Sequence, residues 1–271
     1  MENGFELDSY LARIGYSGPL TPDLATLTAL QAAHVDAIPF EALDPLLGRP
    51  VHVDLPSVQQ KLVLSRRGGY CFEQSVLFQA VLQAIGFSVT GLTGRVRWRS
   101  APTDPLGPRQ HMMLLVELDG RPYIADVGFG IHMMDAPIRL EVGHEQQTGM
   151  GTFRIGQWNW LTTISAKQPT GWRMMYAFDL VPQIHADYVL GSWYTSTNPT
   201  VPITTTLMME RVTRDVRHKL VNRRCTVEAR NGEVIAEHMI ESAEELGRHI
   251  DEVFRITPPV SAEELWARTT S

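Results

Sequence analysis

Residues 66–96 read RRGGYCFEQSVLFQAVLQAIGFSVTGLTGRV, and two periodicities meet in them. From Cys71 onward, Leu77, Val81, Leu82 and Ile85 recur at the spacing of one helix face, and Gly86 is the residue type that commonly ends a helix. Beyond Gly86 the period shortens, and residues 89–98 read as a strand. The chain before this switch looks helical. Thr21-Pro22-Asp23 offers an N-cap, a proline in the first turn and an early acid ahead of Leu24, Leu27, Leu30 and His34. Ser57 with Gln60 predicts a second helix running to about Ser65.

The chain after the switch is mostly strand. Residues 112–118 and 123–127 flank Asp119-Gly120, a strong hairpin signal. Residues 152–155, 158–164 and 172–180 continue the series, and a Thr-, Ser-, Asn- and Pro-rich stretch over 187–202 reads as a loop. Asn231-Gly232 predicts a further hairpin, and Ser242-x-x-Glu245 opens an amphipathic helix towards Phe254. The expectation is an α+β multidomain chain: a helical unit at 1–86, a sheet unit at 87–190 and a small mixed unit at 191–271.

Composition excludes several classes. In 271 residues, 24 basic against 30 acidic side chains give a net charge of −6, which favours neither nucleic acid nor an anionic membrane as partner. Apolar residues at 44% and charged ones at 20% describe a globular chain. No apolar run reaches the ~18 residues of a membrane span. The opening Met1-Glu2-Asn3-Gly4-Phe5-Glu6 lacks the basic and apolar regions of a signal peptide. Two cysteines make neither a disulfide framework nor an all-cysteine zinc site, and no metal-ligand set is read elsewhere. A cytoplasmic protein is expected.

Cys71 stands at the predicted start of a helix, where the macrodipole and unpaired N–H groups favour thiolate. Gly68 and Gly69 would let the backbone turn tightly and leave the sulfur approachable. Cys225, in an alternating strand without glycine nearby, has the surroundings of an inert core thiol. A nucleophilic cysteine needs a base, and the base needs an orienting group. His111 begins the strand after a turn-rich stretch, and Asp126 is an acid inside the apolar run 123–127, where it needs a partner. If the hairpin turn has two residues, position i faces 239 − i, because Leu118 then faces Arg121. His111 would face residue 128, within diagonal reach of Asp126.

Three segments together resemble the catalytic segments of the arylamine N-acetyltransferases: Arg67-Gly68-Gly69-Tyr70-Cys71-Phe72-Glu73, His111 before Met-Met-Leu-Leu-Val, and Asp126-Val127-Gly128-Phe129-Gly130. Ile38-Pro39-Phe40-Glu41 and Trp193-Tyr194-Thr195-Ser196-Thr197-Asn198-Pro199 extend the resemblance along most of the chain. It implies an N-terminal helical bundle, a central β-barrel, a C-terminal α/β lid and a Cys-His-Asp triad of the cysteine-protease kind. It further implies acetyl transfer from acetyl-CoA, a co-substrate and not a resident cofactor, to an aromatic amine, hydrazine or hydroxylamine through an acetyl-cysteine. Cys71 would be the nucleophile, His111 the base and Asp126 its orienter, with backbone N–H groups of Cys71 and Gln110 facing the oxyanion.

Phe40, Phe129 and Ile203 are candidates for the acceptor pocket, and Gly128 and Gly130 for the coenzyme's path. The chain departs from the family pattern at Ser75, where asparagine is common, at Ile131 in place of a second glycine, and at Ile203 in place of an aromatic. An amide synthase or another acyl-CoA N-acyltransferase of the same fold, a cysteine hydrolase, and an inactive binding module remain open at this point. A homodimer is left open as well.

Overall fold

A computed structural model describes residues 5–101 and 103–269; part of the stretch read as free of a signal peptide, residues 1–4, lies outside them. Helices α1 (Leu7–Ile14), α2 (Leu24–Ala37), α3 (Leu43–Leu46), α4 (Leu55–Gln59) and α5 (Cys71–Ile85) build the N-terminal region, with the short strand β1 (Phe40–Glu41) between α2 and α3. α5 starts and stops where its period predicts, and Gly86 closes it in the left-handed region at φ 105°. Leu77, Phe78, Val81 and Leu82 are fully buried, each contributing roughly 1.5–3 kcal/mol.

Two helix starts differ from expectation. Asp23, not Thr21, caps α2 by accepting from Thr26 N at 2.8 Å, and Asp54, not Ser57, caps α4 by accepting from Ser57 N at 3.0 Å. In each case a carboxylate lies close by, and its charge suits the positive helix end better than a hydroxyl does. A π-helical turn over Gln60–Leu64 continues α4 to the predicted end.

The middle of the chain forms β2 (Ser88–Val96), β3 (His111–Leu118), β4 (Arg121–Ala125), β5 (Ile138–Arg139), β6 (Glu145–Thr148), β7 (Gly151–Trp158), β8 (Leu161–Gln168) and β9 (Gly171–Phe178). They make one eight-stranded sheet in the order β5-β4-β3-β2-β9-β8-β7-β6. The β3–β4 register runs from Leu118↔Arg121 to Leu114↔Ala125, each pair summing to 239 as the hairpin predicts. Trp158 ends β7 instead of opening the next strand, because Asn159 turns there at φ 54°.

The expected barrel is approached but not closed: among the described residues no backbone ladder joins β5 to β6. Gln146 on β6 bridges the two edges, its Oε1 accepting from Arg139 N and its Nε2 donating to Arg139 O, both at 2.7 Å. A side-chain amide thus takes the place of a strand partner at the seam. Both faces of β3 are buried: Met112, Leu114 and Val116 join the core under α5, and Met113 joins the core inside the sheet. The unbroken apolar run of β3 follows from this two-sided burial.

Helix α6 (His185–Thr197) occupies much of the stretch read as a loop, and the expected boundary at 190/191 falls inside it. Strands β10 (Met208–Val212), β11 (Arg217–Val221), β12 (Arg224–Glu228) and β13 (Val234–Met239) form a second sheet, ordered β1-β10-β11-β12-β13. β1 thereby ties the N-terminal region into the C-terminal sheet. Helix α7 (Ala243–His249) starts at the predicted Ser242 cap, whose Oγ accepts from Glu245 N at 3.1 Å, and α8 (Ala262–Ala267) follows. Among the described residues no helix is long and apolar enough to cross a membrane.

Candidate active site

Cys71 is the first residue of α5 and is 5% exposed. The loop before it is held from several sides. Glu73 Oε2 accepts from Tyr70 N at 3.2 Å, and Gln74 Nε2 donates to Gly69 O and Pro39 O at 3.2 and 3.0 Å. Behind the loop lies a charge network in which Arg67 meets Glu41 at 2.6 Å and Lys61 meets Asp44 and Glu73 at 2.6 and 2.7 Å. The glycines here serve packing, not exposure of the sulfur. A Cβ at Gly68 would lie 2.2 Å from Pro39 O, and Gly69 bridges to Phe40 as an isolated parallel pair. The glycine pressed against the cysteine is Gly128, whose Cβ would lie 2.6 Å from Cys71 Cα.

The hairpin brings His111 to Asp126. His111 Nε2 lies 2.7 Å from Asp126 Oδ2, with both side chains buried. Asp126 takes Nε2, so Nδ1 is the ring nitrogen left for the thiol. Two further donors fix the carboxylate: Tyr176 OH reaches Oδ2 at 2.7 Å, and Gly128 N reaches Oδ1 at 2.9 Å. Gln31 Nε2 donates to the backbone oxygen of Asp126 at 3.1 Å. Burial alone would push the His111 pKa down. The Asp126 charge and hydrogen bond, with a smaller contribution from Cys71, outweigh it and carry the imidazole up to about 10. Cys225 has the opposite surroundings: burial, with Glu245 adding to it, pushes its thiol up to about 12.

Cys71 and His111 open on a cavity of about 210 Å³. Phe40, Phe129, Gly128, Gly130 and Ile203 all line it, as do Tyr70, Trp98 and Met208, which the sequence did not single out. Phe129 is boxed by the rings of His111 (5.1 Å), Tyr176 (5.3 Å) and Trp98 (6.1 Å). Gly130 gives room to Phe40, since a Cβ there would lie 2.1 Å from that ring. Ser75, at the departure after the cysteine motif, donates from Oγ to Met112 O at 2.9 Å and so ties α5 to β3.

Gln110 corrects an expectation. Its backbone N–H is already committed to Gly94 O at 2.9 Å, as the ladder from β2 reaches one residue past β3. Gln110 therefore does not supply an oxyanion donor; it offers its carbonyl instead, 3.5 Å from Cys71 Sγ.

Comparison with known proteins gives the family. The N-acetyltransferase family profile matches residues 23–262. The arylamine N-acetyltransferase of Mycolicibacterium smegmatis is 43% identical over 226 residues, 82% of each chain. That of Escherichia coli K12 is 44% identical over 192 residues, 70% of this chain and 67% of the relative. Among solved structures, the Mycobacterium marinum arylamine N-acetyltransferase in complex with CoA superposes with a TM-score of 0.92 at 36% identity, covering 97% of this chain and 98% of that one. On these matches, the chain belongs to the arylamine N-acetyltransferase family.

Proposed function

We propose that this protein moves an acetyl group from acetyl-CoA to an aromatic amine, hydrazine or hydroxylamine, with an acetyl-cysteine at Cys71 between the two half-reactions. The observation that carries the reading is the Cys71–His111–Asp126 arrangement, with its 2.7 Å His111–Asp126 bond, opening on an apolar cavity. Cys71, as thiolate beside protonated His111, attacks the thioester carbonyl. Coenzyme A leaves as a thiolate and takes the His111 proton. The amine then attacks the acetyl-cysteine while His111 accepts a proton from it, and departure of the amide restores the thiolate–imidazolium pair. Asp126 holds the ring orientation and offsets the imidazolium charge throughout.

The Cys71 N–H, at the first turn of α5, is the donor assigned to the oxyanion. Phe40, Phe129 and Ile203 would face the acceptor, and Gly128 and Gly130 would give the coenzyme's arm a wall of low relief. Two free thiols fit a reducing, cytoplasmic setting.

Incubation with acetyl-CoA and no amine should add one acetyl group, located on the Cys71 peptide by mass spectrometry and removed by an added arylamine. Cys71→Ala should show neither modification nor turnover. Unmodified protein under conditions where transfer proceeds would rule out the acyl-enzyme.

A further inference from the structure

Cys225 and His238 are direct partners across β12 and β13, so their side chains rise from the same face of the second sheet. Helix α7 lays His249 over that face. Cys225 Sγ lies 3.3 Å from His249 Nε2, and one donor atom from each of the three residues falls within 4.8 Å of the others. Glu245, one turn before His249, brings Oε1 to 3.9 Å from His238 Nε2. Cys225 packs among Leu220, Ile240, Leu246 and Ile250, which holds strand and helix in place. His238 is exposed, which gives an ion a way in from solvent.

We propose that Cys225, His238 and His249 bind a zinc ion, with Glu245 or a water in the fourth position, at a site separate from the acetyl-transfer centre. One thiolate, two imidazoles and an oxygen donor form a set that zinc takes in tetrahedral geometry, at bond lengths of about 2.3 Å to sulfur and 2.0–2.1 Å to nitrogen. Those lengths put sulfur and nitrogen ligands about 3.5 Å apart, close to the Cys225–His249 separation of 3.3 Å. His238 can close the remaining distance by side-chain rotation, being half in solvent. Sulfur and nitrogen donors do not suit magnesium or calcium. On binding, an S–Zn bond forms as the S–H proton passes to solvent, and no oxidation state changes. The ion would pin α7 to β12 and β13, a structural role. No short ligand spacing marks the site in the sequence, because its members stand on two strands and a helix.

The test uses the full chain carrying Cys71→Ala, so that Cys225 is its one thiol. Cobalt(II) serves as a spectroscopic probe and zinc(II) as competitor. One equivalent of cobalt should give a thiolate-to-metal charge-transfer band that zinc abolishes and magnesium leaves intact. His238→Ala, at an exposed strand position and with unchanged far-UV circular dichroism, should weaken cobalt binding at least tenfold. Cys225→Ser should remove the band. No band in the Cys71→Ala protein would overturn the proposal, as would a band surviving Cys225→Ser or undiminished affinity in His238→Ala.

Discussion

Asp126 shows what one residue is asked to do. Its two oxygens face three donors: His111 Nε2, Tyr176 OH and Gly128 N. Asp126→Asn keeps the shape but turns one oxygen into an NH2 group, which must then confront at least one of those donors. The imidazolium also loses its counter-charge. In a serine-protease triad the same exchange costs about 10⁴ in turnover, and a fall of 10³-fold or more in kcat is expected here. Near-UV circular dichroism would establish that the variant is folded, and one keeping a tenth of the rate would make Asp126 structural only. The pair also predicts a pH dependence of stability. The folded His111 pKa of about 10 lies above the ordinary 6.5. Its contribution is therefore fully present below about pH 6.5 and is lost as pH rises through about 10. Urea midpoints should fall across that window in the parent protein and change less in Asp126→Asn. The approach of His111 to Asp126 could be argued from sequence because a hairpin with a two-residue turn fixes its own register, whereas Cys71 was marked by its place at a helix start and by the family resemblance. Tyr176 and Gln31 could not be argued so, since they reach Asp126 from β9 and α2 and leave no local signal.

Elements carry the site into place by close approach. The loop after β4 runs against the start of α5, and Gly128 is the contact point, where an added Cβ would meet Cys71 Cα at 2.6 Å. That neighbour is backbone and cannot swing aside, so Gly128→Ala must move the loop or the helix start. A rate of Cys71 acetylation reduced at least tenfold, with the thermal midpoint lowered by only a few degrees, is the expected outcome in single-turnover mixing with acetyl-CoA. Unchanged acetylation would mean that the loop yields without disturbing the sulfur. Element types with strong periods were legible, α5 and the β3–β4 hairpin above all. α6 was misread for a physical reason. Its Thr195, Ser196 and Thr197 hydroxyls donate to Gly191 O, Ser192 O and Trp193 O at 2.7, 2.8 and 2.6 Å, so residues that usually favour turns satisfy themselves within the helix. Val189, Leu190 and Trp193 are exposed, which erases the amphipathic stripe that would have announced it.

At the scale of the whole molecule, a buried ion pair inside the second sheet holds two loops of the first. Glu210 on β10 accepts from Met133 N at 2.8 Å, and its partner Arg217 on β11 reaches the same loop and the one at Met150. Arg217 is fully buried, meets Glu210 at 3.0 Å, and donates to Met133 O and Met150 O at 3.0 and 3.3 Å. Arg217→Met would take one of the two counter-charges of buried Glu210 and leave Lys219 and the Met133 N–H, so the loss should stay below the roughly 3–5 kcal/mol of a fully unpaired buried charge. A lower urea midpoint at unchanged slope would register that loss, and a midpoint within error of the parent would mean that the pair is dispensable. This fastening matters to function because the proposed acceptor cavity is assembled from distant parts: Cys71 on α5, His111 on β3, Phe129 after β4, and Ile203 in the turn before β10. Ile203 is 9% exposed and lines the cavity. An aromatic side chain there would narrow the space and add a flat face, and an aromatic contact is worth roughly 0.5–1.5 kcal/mol beyond area burial. Ile203→Phe should therefore raise the ratio of kcat/KM for a small planar arylamine to that for a bulky aliphatic amine several-fold, since 1.4 kcal/mol is about tenfold. The burst of coenzyme A released before any amine is added should keep its rate, because acetylation of Cys71 does not use the acceptor wall. A changed burst with an unchanged ratio would place Ile203 against the coenzyme's arm instead.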